Sequence, residues 1–474
     1  MEITEEIFRQ YDIRGIVEKD LDREVAFLLG RAFSVYLKGI NPKARKVSLG
    51  RDVRLSSGEL ASGIMDGMVS SGLDVVDIGI CPTPLQYFSL YHLDLDGGIM
   101  VTGSHNPPEY NGFKLSSGKG TIHSEAIQEI KQIIKNRDAV NYGEARGQAC
   151  RYEIIPAYRE YMLKEFSYLA DPGFRRIKVV VDAGNGTAGL VAPDILGRIG
   201  CDVTPLYCEP DGRFPNHHPD PTVVEYLQDL VAATRESGAG LGVGYDGDAD
   251  RIGVIDHEGN VIWGDQLMIV LARDLLARHP GATIIGDVKC SQRMFEDIKM
   301  RGGVPIMWKT GHSLVKQKMK EEGALLAGEF SGHIFIADRY FGYDDAIFTT
   351  LRLVEIMKKG GRDIRELLSD VPAMCFTPEI RMDCPEDLKK TAMEGVVKRF
   401  LLYRENGKSP YPIKDVNTVD GVRVAFDKGW GLVRMSNTQP VMVMRFEAED
   451  EKSLTSYRQF IERELQHAMS DSQT

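Results

Sequence analysis

The sequence predicts an α/β protein: three similar mixed-sheet α/β domains followed by a C-terminal antiparallel α+β domain, grouped around a central cleft. Three observations lead there. Near the start, short apolar runs alternate with helix-length stretches, as in a mostly parallel sheet covered by helices. That alternation returns twice, each time reaching a polar loop after an apolar strand, which is the pattern of an internal repeat. From about Val371 it gives way to strands joined by short turns. A chain of 474 residues with 43% hydrophobic content is too long for one core. The expected domains are 1–150, 151–255, 256–370 and 371–474.

The elements follow in order. Phe8 to Gly15 sets Tyr11 and Arg14 three residues apart and, on composition alone, reads as a charged surface turn. Lys46 to Gly50 reads as a strand, Ser56 to Ser71 as a helix with Leu60, Ile64 and Met68 on one face, and Leu73 to Ile80 as a second strand ended by Cys81-Pro-Thr-Pro84. Gly98 to Val101 is a short buried strand, after which the Gly, Asn and Pro residues up to Lys114 force an irregular loop. That loop displays the hydroxyl of Ser104 at a strand's carboxyl end, where open α/β sheets place ligands. His105, Asn106 and Lys114 stand close by in sequence, a cation and hydrogen-bonding groups suited to an anion on that oxygen. The chemistry suggested is a serine that carries phosphate. The competing reading is an ordinary turn, because Asn-Pro and Asn-Gly pairs are common loop punctuation.

The second unit starts at Ile177 to Asp182, turns through Gly184 to Gly189, and reaches Asp246-Gly-Asp-Ala-Asp-Arg251 after the apolar Gly240 to Gly244. Three carboxylates at alternate positions repel each other unless a cation sits among them, and oxygen donors select a hard metal. An EF-hand loop is excluded, because its sixth and twelfth positions are Arg251 and His257 here. The Pro-rich loop Asp211 to Pro221 carries adjacent His217 and His218, which need not point at one ion, so no metal is assigned to them. In the third unit, Ala282 to Val288 leads to Asp287-Val-Lys289, Lys309-Thr-Gly-His312 and finally Gly328-Glu-Phe-Ser-Gly-His333. In the fourth, Val422 to Phe426, Gly431 to Met435 and Val441 to Glu447 read as strands and Lys452 to Met469 as a helix. The turn Arg434-Met-Ser-Asn-Thr-Gln-Pro offers a guanidinium, two hydroxyls and an amide, which suits a phosphate; alone, it reads as a polar hairpin turn.

A net charge of −11 argues against nucleic acid or a membrane surface as the main partner. An acidic chain that binds a phosphate group must concentrate its positive charge locally. Seven cysteines without a Cys-x-x-Cys pair read as reduced cytosolic thiols with no zinc site. The acidic start and the lack of a long apolar run predict a soluble, cytoplasmic protein. Gly407-Lys-Ser409 lacks the first glycine of a P-loop, since Leu402 holds that place.

Taken together, Ser104 in Thr-Gly-Ser-His-Asn-Pro, the Asp246–Arg251 loop, Gly328–His333 and Arg434–Thr438 resemble, in order, the four signature loops of the α-D-phosphohexomutases. The nearest branch is that of the bacterial phosphomannomutase/phosphoglucomutase enzymes. The resemblance implies reversible phosphate transfer between O1 and O6 of a mannose or glucose phosphate, through phosphorylated Ser104 and a bisphosphorylated sugar. It also implies a sugar 1,6-bisphosphate activator. Mg²⁺ is then held by Asp246, Asp248, Asp250 and an oxygen on phosphorylated Ser104, with His105, Lys114 and Arg251 around the transferring group. His333 and Arg14 are the expected proton handlers, and Tyr11, Lys289 and His312 line the substrate cleft. Glu329 and Ser331 are expected to bind sugar hydroxyls, while Arg434, Ser436, Asn437 and Thr438 anchor the far phosphate. Phe330 departs from the Gln or Met familiar at that place, which leaves substrate preference open. The rival readings are a phosphoglucosamine mutase, a Ser-dependent metal-assisted phosphohydrolase and a non-catalytic sugar-phosphate sensor. In every case the expected partner is a small sugar phosphate.

Overall fold

The computed structural model describes residues 3–136, 146–436 and 440–471. Four sheets organise the chain, and the first three share one plan. In the first, Asp74–Ile80, Lys46–Arg51 and Gly97–Val101 run parallel in that spatial order, and Tyr110–Ser117 returns antiparallel beside the last. The same arrangement recurs as Cys201–Leu206, Ile177–Asp182, Leu241–Tyr245 and antiparallel Ile252–Ile255. It recurs again as Val304–Trp308, Thr283–Asp287, Leu326–Gly328 and antiparallel Ile334–Ile336. Each signature loop is therefore the hairpin that reverses the chain between the third and fourth strands of its sheet. The second sheet continues to an edge pair at Val261–Ile262, a few residues beyond the junction expected near 255.

Packing follows the alternation of side chains across each strand. Val47, Leu49, Val75, Ile99 and Val101 face a core closed by the helices Arg23–Ile40 and Ser57–Ser70. Those two helices cross at glycine: a Cβ on Gly30 would stand 2.4 Å from the Ile64 carbonyl oxygen, and one on Gly67 2.2 Å from that of Phe27. Val76 and Ile78 point the other way, into a core shared with the second and third units. That shared core fixes three loops relative to one another.

The fourth unit is an antiparallel sheet carrying Val422–Phe426, Gly429–Met435 and Val441–Ala448, packed against helices Glu386–Asn406 and Glu451–Asp471. The first of those helices was not read from the sequence, and Gly407 is its left-handed cap at φ +66°, not part of a phosphate loop. Cations hold this unit to the third. The Arg423 guanidinium donates to the carbonyls of Val288 and Cys290, both at 2.7 Å, and lies 3.6 Å over the Trp430 ring. Arg445 donates to the Lys289 carbonyl and lies 3.7 Å over Phe330, which stacks on Trp263. All seven cysteines are unpaired. Among the described residues no helix is long and apolar enough to cross a membrane.

Candidate active site

Ser104 sits at the tip of the first hairpin with φ +49°, a left-handed conformation that costs a non-glycine residue roughly 1 kcal/mol and needs support. Arg54 supplies it. Its buried guanidinium donates to the carbonyls of Ser104 at 2.7 Å, Asn106 at 2.5 Å, Pro107 at 2.6 Å and Tyr110 at 3.0 Å, and pairs with Asp52 at 3.1 Å. The hydroxyl is thereby aimed across the domain boundary: Ser104 Oγ donates to Asp246 Oδ2 at 2.8 Å and lies 3.2 Å from His105 Nδ1.

Asp246, Asp248 and Asp250 occupy the second hairpin, each 0% exposed, with carboxylate oxygens within 4.8 Å of one another. Three buried charges this close need compensation. Lys114, brought in by the return strand opposite Met100, bridges Asp248 Oδ2 at 2.9 Å and Asp250 Oδ2. Thr83 from the Cys81–Pro84 turn donates to Asp248 Oδ2 at 2.5 Å. Burial and Asp250 oppose the charge on Asp248, but Lys114 outweighs them and holds its pKa below the usual range. Burial also opposes the charge on Asp250, and Lys114 and His333 drive its pKa well down. Among the described residues Asp246 receives only the Ser104 hydroxyl and the amides of Asp250 and Arg251, so burial, Asp250 and Asp248 push its carboxyl well up. The missing compensation is that of a cation. An all-oxygen donor set with Asp248 Oδ1 buried and unpaired fits a hard divalent ion.

The third hairpin is joined to the second through the backbone: Ile252 N donates to the Gly332 carbonyl at 3.1 Å, and Arg251 and His333 form a β-bridge. Glu329 Oε2 accepts from His333 Nδ1 at 2.7 Å, and its other oxygen accepts the Gly311 amide at 2.5 Å. His333 Nε2 faces both Asp250 Oδ1 at 3.3 Å and Arg251 Nε at 3.2 Å. Burial works against the His333 cation, but Asp250 and then Glu329 raise its pKa overall. Burial, Lys316 and Lys114 instead push His312 well down. The two rings lie 5.6 Å apart. His105 is also pushed well down, by burial and then by Arg251 and Arg14. Ser331 Oγ is 3.5 Å from His333 Nδ1, at the edge of the cluster.

Remaining expected residues approach from two sides. Arg14 lies opposite Gly112 on the strand flanking the serine hairpin, is 9% exposed, and pairs with Asp12 at 2.5 Å. Tyr11 donates to the Thr310 carbonyl at 2.8 Å, with its ring against Gly311 and His312. Lys289 pairs with Glu379 at 2.7 Å. Arg434 Nε donates to Asp420 Oδ2 at 2.9 Å, an oxygen that also accepts the Thr310 amide at 3.1 Å, so the turn that Arg434 opens is tied to the His312 loop. Ser436 is buried and its carbonyl accepts from Lys389 at 2.7 Å. Asn437 and Thr438 lie outside the described residues. His217 pairs with Asp182 at 3.1 Å.

Sequence reading missed Arg54, Thr83, Asp344, Asp420 and Glu379. Only Arg54 and Thr83 left a trace, as polar residues right after strands at carboxyl ends that carry ligands.

A serine hydroxyl facing three buried acids and a lysine, with two histidines and an arginine behind them, defines a phosphoryl-transfer enzyme of the hexose-phosphate mutase type. The comparisons with known proteins agree. Four family models match in chain order: phosphoglucomutase/phosphomannomutase alpha/beta/alpha domain I over 5–141, domain II over 156–259, domain III over 263–374, and the C-terminal domain over 379–464. The chain belongs to the phosphoglucomutase/phosphomannomutase family. It is 45% identical over 451 residues to the phosphomannomutase/phosphoglucomutase of Pseudomonas aeruginosa, covering 94% of this chain and 93% of that protein. The phosphoglucomutase of Neisseria gonorrhoeae is 40% identical, with 95% of each chain covered. Among solved structures, a phosphoglucomutase/phosphomannomutase family protein from Burkholderia thailandensis superposes with a TM-score of 0.88 at 38% identity, covering 98% of each chain.

Proposed function

We propose that this enzyme moves phosphate reversibly between C1 and C6 of mannose and glucose phosphates, with Ser104 as the group that carries the phosphoryl. The observation that supports it most is the 2.8 Å contact from Ser104 Oγ to Asp246, with Lys114 between Asp248 and Asp250. Phosphoserine at 104 gives its phosphoryl group to the free hydroxyl of a sugar monophosphate, the bound bisphosphate turns round, and its other phosphate returns to Ser104. No water or nucleotide is consumed.

Phosphoryl transfer needs alignment and neutralisation of the charge on the transferring oxygens. Lys114 and Arg251 bring fixed positive charge to that place, and losing one such contact costs about 3 kcal/mol of barrier. Asp246, Asp248 and Asp250 would hold Mg²⁺ together with an oxygen of phosphoserine 104, and the ion would neutralise charge on the phosphoryl oxygens. Glu329, fixed by Gly311 N and His333, presents its carboxylate to sugar hydroxyls, with the half-buried Ser331 beside His333. Arg434 and Ser436 hold the distal phosphate, and Tyr11, Lys289 and His312 line the path between the two ends. His333 or Arg14 receives the hydroxyl proton, with His105 beside the serine. A sugar 1,6-bisphosphate rephosphorylates enzyme that has lost its phosphate. Seven free thiols suit a reducing cytoplasm.

Intact-mass measurement tests the serine, and assays with mannose 1-phosphate and glucose 1-phosphate test the reaction. Ser104→Ala is expected to lose both the phosphate adduct and sugar-phosphate interconversion. Full interconversion in that variant would refute the reading. Release of inorganic phosphate would indicate a hydrolase, and turnover of glucosamine 6-phosphate alone a phosphoglucosamine mutase.

A further inference from the structure

Three parallel strands of the third sheet end side by side, and each runs into a loop with groups expected on the sugar: Thr283–Asp287 into Lys289, Val304–Trp308 into His312, and Leu326–Gly328 into Glu329. Asp287 is the last residue of the middle strand, and its carboxylate is 0% exposed. That one group reaches all three loops. Oδ1 accepts the Phe330 amide at 3.2 Å and the Cys290 thiol at 3.1 Å. Oδ2 accepts the Thr310 hydroxyl at 2.9 Å and lies 4.0 Å from Lys289 Nζ. Other acids take these loops one at a time: Glu379 pairs with Lys289 at 2.7 Å, and Asp344 Oδ2 lies 3.6 Å from His312 Nδ1. Thr310 passes the constraint outward, since its carbonyl accepts from Tyr11 at 2.8 Å and its amide donates to Asp420 at 3.1 Å.

We propose that Asp287 is a positioning residue for the mutase reaction, fixing Lys289, His312 and Glu329 relative to one another before the sugar phosphate arrives. The inference rests on those three groups contacting the sugar phosphate, as proposed above. Groups already ordered when a ligand arrives lose less freedom on binding, so the benefit falls on affinity for the sugar. The transferring end has its own supports in another sheet, with Arg54 behind Ser104 and Lys114 between Asp248 and Asp250. Removing the Asp287 carboxylate therefore acts on KM before it acts on kcat.

Asp287→Ala in the full-length enzyme is the test. KM for glucose 1-phosphate and mannose 1-phosphate should rise at least about tenfold while kcat stays within about threefold, the pattern of lost ground-state binding. In hydrogen exchange read by mass spectrometry, peptides covering 289–292, 309–312 and 329–333 should gain deuterium together, while those of the Ser104 and Asp246 hairpins keep wild-type protection. Asp287→Asn keeps an acceptor for the Phe330 amide and turns its own amide to the Thr310 hydroxyl, so it should bring KM back to within about threefold of wild type. A general loss of packing would instead move all the hairpins and kcat with them. Unchanged KM in Asp287→Ala, exchange gained at one loop alone or at every hairpin, or an Asn variant no better than Ala overturns the assignment. If Asp287→Ala does not fold, Thr310→Val removes one arm only. It should raise KM and release 309–312 alone, and wild-type values of both would overturn the proposal. Exchange does not depend on turnover, so a wild-type enzyme inactive on hexose phosphates would refute the proposed function, and the exchange pattern would still decide whether Asp287 sets the three loops.

Discussion

Arg54→Met should separate the support of the serine loop from its chemistry. The guanidinium is 0% exposed and holds four loop carbonyls and Asp52, whereas methionine fills similar length and donates nothing. An unpaired buried acceptor costs about 1–3 kcal/mol. The loop oxygens regain water as the hairpin loosens, so the expected loss of stability is about 3–5 kcal/mol, the size of a broken buried ion pair. Loosening also moves Ser104 Oγ from its 2.8 Å contact with Asp246. A displacement of about 1 Å in a reacting group costs on the order of 100-fold in rate. Coupled mutase assays, normalised to the folded fraction from denaturant melts, should show kcat down by about that factor. KM should change far less, since the Glu329 and Arg434 loops are untouched. Wild-type kcat per folded molecule would refute the assignment of Arg54 as the loop's support.

Other perturbations test separate links. Glu379 is held down to about 2 chiefly by Lys289. A carboxylate depressed on folding adds stability above its unfolded value and loses it as pH falls through the folded one, so the window runs from about pH 4.5 to 2. The full shift corresponds to about 3 kcal/mol, reduced to roughly 1–2 kcal/mol by solvent because the side chain is 28% exposed. Urea melts of Glu379→Gln should therefore show a shallower acid limb than wild type in that window. In Gly311→Ala, a Cβ would stand 2.6 Å from the Tyr11 ring at φ +132°. The expected result is a raised KM for sugar phosphates and about 1–3 kcal/mol lost in thermal melts. Chelation should abolish mutase activity, and Mg²⁺ should restore it while raising Tm by mass action.

The parts of this protein legible in the sequence are those whose partners are near neighbours in the chain. Strand periodicity located Ile177–Asp182 and Val422–Phe426 to the residue, and the signature loops were visible because Asp246, Asp248 and Asp250, or Glu329 and His333, lie within one hairpin. Local chemistry alone made the acid loop a cation site, since carboxylates that close repel wherever the fold puts them. Arg54 and Thr83 showed only as polar residues after strands, and what they hold was not legible, because the carbonyls Arg54 binds begin 50 residues later and the partner of Thr83, Asp248, is 165 residues away. The Asp344–His312 pair likewise belongs to no local pattern.

The common strand order of the three units, the shared core that sets their hairpins against one another, and the tie from Arg434 through Asp420 to Thr310 were decided by tertiary structure. Side-chain type and spacing report what a segment can do, being properties of adjacent residues. Which distant donor meets which buried acceptor is settled only when sheets stack and water leaves, because only then does an unmatched polar group carry a penalty large enough to select its partner.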